Sequence, residues 1–588
     1  MGMMALLSAL GPAMGARASS GDTEVSVGSP PSPFSQNKQN EPALAVDPID
    51  PQILAAGSND NIDLEACNAG DPTSCPFTTG VGTSGIYFSF DGGGSWTQPT
   101  YTGYSARNCL GPDPCSPDPN GPIGTLPNYY ENGLVADGDP AVAFGPVPGT
   151  NGSFSFGNGA RLYYANLTSN FGAKRSDYTL KGLEGVGVSR TDDLQTAAAG
   201  GSAGKAAWMP PVTIESSSSA ASFEDKEQIW ADNAGSSDFF GNVYACFARY
   251  QGSSNAQTLD LARSTDGGDT WSSLTLVGIP GSNAGQQTGL ISGHSGCTVR
   301  TDSAGTVYVF WLGFDSQTKQ NGIYMARSSD GGASFETPRR LFLAVGTGVF
   351  DPVLGRNVMD GVAGARDDLA DAPSVDIANG APTGSDATDQ IVLTWVDGRD
   401  GLNNEHVFFT TSTDGGHTWT DLRTVQDEIG HPADRGYYSA PAISPNGTDV
   451  YLVYNVWLEP YKDGTQGPSN DRPLAAVVAH ADVSSGFVGT FAELHRSTAG
   501  DARGSSQNNG VAEFLGDYVY AVATRTFGSA VWNDVRNAAD CPAYDDWRMS
   551  LETKTKKDDL PRPAAETDCP STFGNSSIFG GSYPDPTP

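Results

Sequence analysis

One eight-residue pattern, Ser-x-Asp-x-Gly-x-(Ser/Thr)-aromatic, occurs four times in this chain, and it constrains the fold more than any other feature. It reads Ser89, Asp91, Gly93, Ser95, Trp96; then Ser264, Asp266, Gly268, Thr270, Trp271; then Ser328, Asp330, Gly332, Ser334, Phe335; then Ser412, Asp414, Gly416, Thr418, Trp419. An internal repeat of this kind implies an array of similar supersecondary units. Each copy has the chemistry of a tight turn. The aspartate accepts backbone N–H bonds, glycine supplies positive φ, and the terminal ring anchors the turn in the layer beneath. Each repeat is therefore expected to close a β-hairpin.

The pattern resembles the Asp-box, or bacterial neuraminidase repeat, of the sialidase-like β-propellers. The resemblance covers about residues 23–552 and implies an all-β fold, a single propeller of four-stranded blades. It also implies that the boxes join the third and fourth strands of a blade on the face opposite the ligand site. Asp91, Trp96, Asp266, Trp271, Asp330, Phe335, Asp414 and Trp419 are then structural residues. Family enzymes carry an arginine triad, a Phe/Tyr-Arg-Ile-Pro segment and a Tyr nucleophile. This chain has no Arg-Ile-Pro, and the corresponding segment reads Pro33-Phe34-Ser35-Gln36-Asn37. No catalytic residue is carried over from the family.

Strand rhythm favours seven blades over six. Inner strands are expected to open at Asn40–Val46, Asp139–Phe144, Asp225–Trp230, His294–Val299, Asp371–Val375, Ser439–Ile443 and Gly516–Tyr520. In the last unit Trp547–Leu551 is expected as third strand, with Thr23–Val27 supplying the fourth and closing the ring. Insertions fall near 97–136 and 195–222, the second Ala/Ser-rich and read as a mobile excursion. Residues 553–588 read as a C-terminal tail with one disulfide link, and the part after Cys569 as disordered or a spacer.

Formal net charge is −34, which excludes nucleic acid and disfavours anionic membrane as partners. Residues 1–18 resemble a secretory signal peptide ending at Ala18, and no stretch is long and apolar enough to span a membrane. A secreted, extracellular monomer is expected. The eight cysteines form the near-neighbour pairs Cys67–Cys75, Cys109–Cys115 and Cys541–Cys569, with Cys246–Cys297 across one blade step. No CxxC or HxxxH spacing marks a metal site. No cofactor is expected, Ca²⁺ being the one that the acidic loops leave open.

In propellers of the kind this chain resembles, inner strands begin near the axis on the ligand face. Their opening residues give Asp139, Asp225, Glu227, Asp371 and Tyr438 as catalytic candidates and Glu41, His294 and Asp517 as binding candidates. Trp-x-Asp-x-Arg, seen at Trp395-Asp397-Arg399 and Trp532-Asp534-Arg536, adds Arg399 and Arg536. Carboxylates, arginines and aromatics in one mouth suit an extracellular glycan or glycoconjugate. The leading expectation is a carbohydrate-binding propeller without sialidase chemistry. The alternatives are a glycoside hydrolase, exo-sialidase-like, and a surface adhesion or matrix protein.

Overall fold

The structure, a computed structural model, describes residues 21–587 apart from 68–74, 76–77, 111–114, 173, 215–220, 252–255, 278–292, 316–317 and 554–559. The expected signal peptide lies outside the described residues.

The chain is mostly β. Antiparallel sheets follow one another along it, and alternating apolar runs place their faces against each other. The first holds Gln39–Val46, Leu54–Asp60 and Ser84–Ser89. The second holds Ala141–Pro148, Phe154–Asn170, Glu184–Thr191 and Val212–Thr213, and one parallel pairing, Glu184 with Phe223, joins it to the third. The third is Ser222–Ala231, Val243–Gln251, Ala256–Ser264 and Ser272–Val277. The fourth is His294–Thr301, Val307–Asp315, Gln320–Ser328 and Arg339–Ala344. Ser374–Ile377, Ile391–Asp397, His406–Ser412 and Arg423–Thr424 make the fifth. Arg435–Ile443, Asp449–Trp457, Pro473–Ser484 and Ala492–Arg496 make the sixth. The last pairs Tyr520–Ala523, Phe527–Asp534, Ser577–Pro584 and Thr23–Glu24. Inner strands of consecutive sheets touch in chain order, and those of the last sheet return to Gln39–Val46. Aromatic and aliphatic clusters fill the spaces between neighbouring sheets.

Three expectations are corrected. Residues 547–551 lie in the helix Pro542–Glu552, whose first turn begins with Pro542 as helix starts favour. The third strand of the last sheet comes instead from the supposed tail, Ser577–Pro584. Its run Ser-Ile-Phe-Gly-Gly-Ser-Tyr is glycine-rich, which hides the strand signal. In the Ala/Ser-rich insertion, Leu194–Ala199 and Gly201–Ala207 are short helices, with Ala197 and Trp208 buried. Trp208 Nε1 donates to the Tyr101 hydroxyl at 2.9 Å, and that hydroxyl donates to the Ala197 carbonyl at 3.0 Å, so the insertion is packed on the Tyr101–Ser105 strand.

All four cysteine pairs are disulfides. No helix among the described residues is long and apolar enough to cross a membrane.

In all four repeats the serine hydroxyl donates to the aspartate at 2.7–2.9 Å and accepts from the second glycine N–H at 2.8–2.9 Å. The same aspartate accepts from the N–H of the residue before the aromatic, at 2.8–2.9 Å, and from its hydroxyl. Leu54 pairs with both Val46 and Ser89, so the first repeat sits at the far end of the sheet from Glu41. The anchoring rings differ: Trp96 is buried, whereas Trp271, Phe335 and Trp419 are half-buried.

Candidate axial site

The inner strands share an irregularity near their starts. Register slips between Asn40 and Ala43, Asp225 and Gln228, Ser295 and Thr298, and Tyr437 and Ser439. Within these bulges Glu41, Lys226, Gly296 and Tyr438 have φ of 56°, 61°, 59° and 49°; Asp139, just ahead of its strand, has 48°. Left-handed backbone is costly for residues with a Cβ and clusters at functional sites, because a bulge re-aims the side chain. Gly516 completes the set, since a Cβ there would lie 2.1 Å from Glu41 Cγ.

These bulges bring charges from four sheets together. Lys226 Nζ lies 3.0 Å from Asp139, 3.0 Å from Asp517 and 3.3 Å from Asp225. Arg366, delivered by a small three-stranded insertion ahead of the fifth sheet, lies 2.6 Å from Asp517 and 3.1 Å from Glu41. The Tyr438 hydroxyl donates to Asp517 at 2.9 Å, and Asn59 Nδ2 donates to Glu41 at 2.8 Å. Burial, then the charges of Asp139 and Asp517, push the Glu41 carboxyl well above the carboxylate range. Burial works against ionisation of Asp139 as well, but Lys226 and the Glu41 hydrogen bond hold it low. Asp517 is held low against burial by Arg366 and Lys226. Burial raises Asp225 to about 6 despite Lys226.

Beside this cluster opens a cavity of about 440 Å³ with a mixed lining: Lys38, Asn40, Asn59, Asp137, Glu184 and Asn508 on the polar side, Leu64, Val81, Val135 and Phe514 on the apolar side. Burial raises Asp137 to about 6, and burial with the Asp137 and Asp225 charges raises Glu184 well above its usual range. Gly80, on the cavity wall, lies against Tyr104, Tyr130 and Phe171. These three half-exposed rings stack with centroids 4.0 and 4.8 Å apart.

The structure thus brings together Glu41, Asp139, Asp225, Tyr438 and Asp517 and leaves the other candidates elsewhere. Glu227 is buried, its carboxylate without a hydrogen-bond partner among the described residues other than its own backbone N–H, and is pushed well upward by burial and Asp139. Asp371 is buried and raised to about 7 by that burial; Asn321 is its hydrogen-bond donor. His294 is a core residue: Trp311 Nε1 donates to its Nδ1 at 2.9 Å, and burial lowers it to about 4. Arg399 and Arg536 are not free ligand-binding groups. In each Trp-x-Asp-x-Arg segment the tryptophan N–H, the arginine N–H and the guanidinium all converge on one buried aspartate, Asp397 or Asp534. Each guanidinium also covers a ring, Phe408 or Phe579. The segment is a repeated structural staple, and no arginine triad forms with Arg366. Asp137, Glu184 and Asn59 are absent from the sequence candidates; the Asp137-Gly138-Asp139 run was the only local hint.

No protein-family profile and no curated protein sequence matches this chain. Among solved structures it is similar to Trypanosoma rangeli sialidase at 11% identity and TM-score 0.37, over 76% of this chain and 55% of that one. It is similar to Fusarium graminearum α-L-arabinofuranosidase Arb93A at 9% identity and TM-score 0.37, over 83% and 98%. It is similar to phage phi92 endosialidase at 10% identity and TM-score 0.38, over 96% and 68%. The chain spans about half the length of the trypanosomal enzyme. Likenesses this distant carry no argument about chemistry.

Proposed function

We propose that this chain is a secreted, seven-bladed, monomeric propeller that binds a neutral extracellular glycan at its axial mouth and does not cleave sialosides. The observation that carries the reading is the state of the axial cations. Lys226 and Arg366 are already surrounded by Asp139, Asp225, Asp517 and Glu41, so neither offers an open clamp for a substrate carboxylate; Lys38, which lines the cavity, donates to Asn508 at 3.2 Å and is pushed down to about 7 by burial, which makes it a poor anchor for an anion. An anionic sugar entering here would meet surplus carboxylates. A neutral sugar meets amide groups that can satisfy its hydroxyls and the apolar surface of Leu64, Val81, Val135 and Phe514, with the Tyr104–Tyr130–Phe171 stack lying against Gly80 of the cavity wall.

One observation favours a second reading, a glycoside hydrolase acting on neutral glycans. Glu41 and Asp139 are displaced in opposite directions, as acid and base pairs are. They are hydrogen-bonded to each other, however, whereas glycosidase carboxylates stand roughly 5–9 Å apart with the sugar between them. A hydrolase would use the cavity-lining Glu184 as acid and Asp137 as base instead. A glycan array with the purified chain, followed by calorimetry on Asn59→Ala and Glu184→Gln, tests the choice. Binding of neutral glycans, weakened at least tenfold in Asn59→Ala, is expected. Preference for sialosides overturns it, and fluorogenic-glycoside turnover abolished by Glu184→Gln selects the hydrolase.

A further inference from the structure

The segment just ahead of the first inner strand is held from several sides. Gln36 Nε2 donates to the Leu64 carbonyl at 2.7 Å, Asn37 Nδ2 to the Phe573 carbonyl at 3.0 Å, and the Asn61 N–H to the Lys38 carbonyl at 3.1 Å. The backbone therefore fixes where Lys38 leaves the chain. Its side chain, 7% exposed, lines the axial cavity.

The surroundings of this amine are unusual for a lysine. Nζ donates to Asn508 Oδ1 at 3.2 Å, a neutral oxygen that also accepts from Asn61 Nδ2 at 3.0 Å. It lies over the Phe514 ring, 4.5 Å from the centroid, and the Arg366 guanidinium lies over the same ring at 4.5 Å. No carboxylate comes within ion-pair distance of Nζ among the described residues. The other described lysines differ: Lys205, Lys226 and Lys462 are ion-paired, and Lys174, Lys181 and Lys319 are exposed. Lys226 is the instructive contrast, since it is equally buried but ringed by three carboxylates that keep it an ammonium. A desolvated amine with no counter-charge and a guanidinium nearby is in the setting that makes lysines nucleophilic. Burial pushes Lys38 down to about 7, against the pull of Glu41 and with the help of Arg366. The other titratable groups on the cavity wall, Asp137 and Glu184, are carboxyls that burial pushes upward.

We propose that Lys38 is a nucleophile that reversibly captures the aldehyde of an open-chain reducing sugar as an imine within the axial cavity. Nζ adds its lone pair to the carbonyl carbon, and the proton it sheds passes to the former carbonyl oxygen, giving a carbinolamine. That hydroxyl leaves as water with a proton from a cavity carboxyl, Glu184 or Asp137, as the C=N bond forms. No oxidation state changes, so neither oxidant nor reductant is needed, and water reverses the step. The polyol class of the aldehyde rests on the glycan reading of the same cavity, whose amides Asn40 and Asn61 suit hydroxyls. The amine itself rests on the placement of Lys38 alone.

The test uses the purified full chain with glyceraldehyde, the smallest sugar aldehyde, and sodium cyanoborohydride, which converts an imine into a secondary amine that peptide mapping locates. Propanal, of equal carbon length without hydroxyls, is run in parallel. At pH 7.5 about 0.1% of an ordinary exposed lysine is free amine, against roughly three quarters of one at about 7. Confinement in the cavity gives part of that advantage back. Lys38 is expected to be modified at least tenfold faster than Lys174, Lys181 and Lys319, with its rate half-maximal near pH 7, and faster by glyceraldehyde than by propanal. Modification no faster than at the exposed lysines, or a midpoint near 10, overturns the nucleophile; equal rates with propanal overturn the sugar. Arrayed glycans tethered through their reducing ends carry no aldehyde, so their binding without Lys38 modification sinks this inference alone, and Lys38 modification without their binding sinks the axial glycan reading alone.

Discussion

Lys226→Met is the perturbation that most directly probes the axial cluster. Lys226 sits at φ 61°, and methionine is a similar unbranched side chain without the charge, so backbone strain is the same in both proteins. The difference reports the ammonium alone. Its removal leaves Asp139, Asp517 and Asp225 without their shared cation, and stripping one partner from a buried ion pair costs about 3–5 kcal/mol. A chain of 588 residues unfolding as one unit has an unfolding entropy of roughly 1.2 kcal/mol per degree, so Tm should fall by about 2–4 °C. The sign of the pH dependence is fixed by direction. In the wild type Asp139 and Asp517 are held below their unfolded values, so they contribute stability above the ordinary carboxylate pKa that is lost as pH falls through the folded values. In the variant Lys226 no longer opposes burial, and Asp225, already at about 6, rises further. Those carboxylates then destabilise at high pH and are relieved by protonation as pH falls. Scanning calorimetry should show the full deficit at pH 8 and less than half of it at pH 4.5. An equal deficit at both, or none at pH 8, refutes the charge reasoning.

Trp419→Ala should cost about 2 kcal/mol, less than a fully buried tryptophan, because the ring is half-buried and loses contacts with Phe310 and Phe342; chemical denaturation measures it. Arg399→Ala should destabilise by about 1–3 kcal/mol, since Asp397 is buried and loses its charged donor, while glycan affinity stays unchanged. Replacing Cys246 and Cys297 together by serine should cost about 4 kcal/mol for a loop of 51 residues, read as a lowered denaturation midpoint. Asp414, held at about 2 chiefly by the Thr418 hydroxyl and N–H, should keep its turn intact until pH falls towards 2; an NMR titration midpoint near 4 would contradict that hydrogen bonding.

The turns were legible because their chemistry is local: Ser412, Asp414, Gly416 and Thr418 satisfy one another within seven residues. Strand openings were legible from β-rich runs such as Asn40–Val46 and His294–Val299. The last sheet was only half legible. Thr23–Glu24 as its closing strand follows from the need to cover an edge, but Ser577–Pro584 is glycine-rich, and Trp547–Leu551 is apolar enough to imitate a strand. At the axis, sequence position names the residues that start inner strands yet says nothing about which ones bulge. Glu41, Asp139, Lys226 and Tyr438 converge because each adopts positive φ, and no residue-type preference announces that for Glu, Lys or Tyr. Arg366 arrives from an insertion, and its contact with Glu41 spans 325 residues.

The same limitation misplaced Arg399 and Arg536, and the reason bears on function. An arginine two residues after an aspartate at a strand end can serve a ligand or its neighbour, and sequence weighs the two alike. The aspartate decides. Asp397 and Asp534 are buried beneath a tryptophan N–H that supplies only one hydrogen bond, so each carboxylate has acceptor capacity left that must be filled by further donors. The adjacent guanidinium meets that need bidentately and has little left to offer a substrate. Lys226 and Arg366 are committed in the same way, by more carboxylates than they can neutralise. Among the described residues Lys38 is the axial cation without a carboxylate partner, and burial pushes it down to about 7, so a ligand compatible with this face is one recognised through hydroxyls and ring faces rather than through a charge.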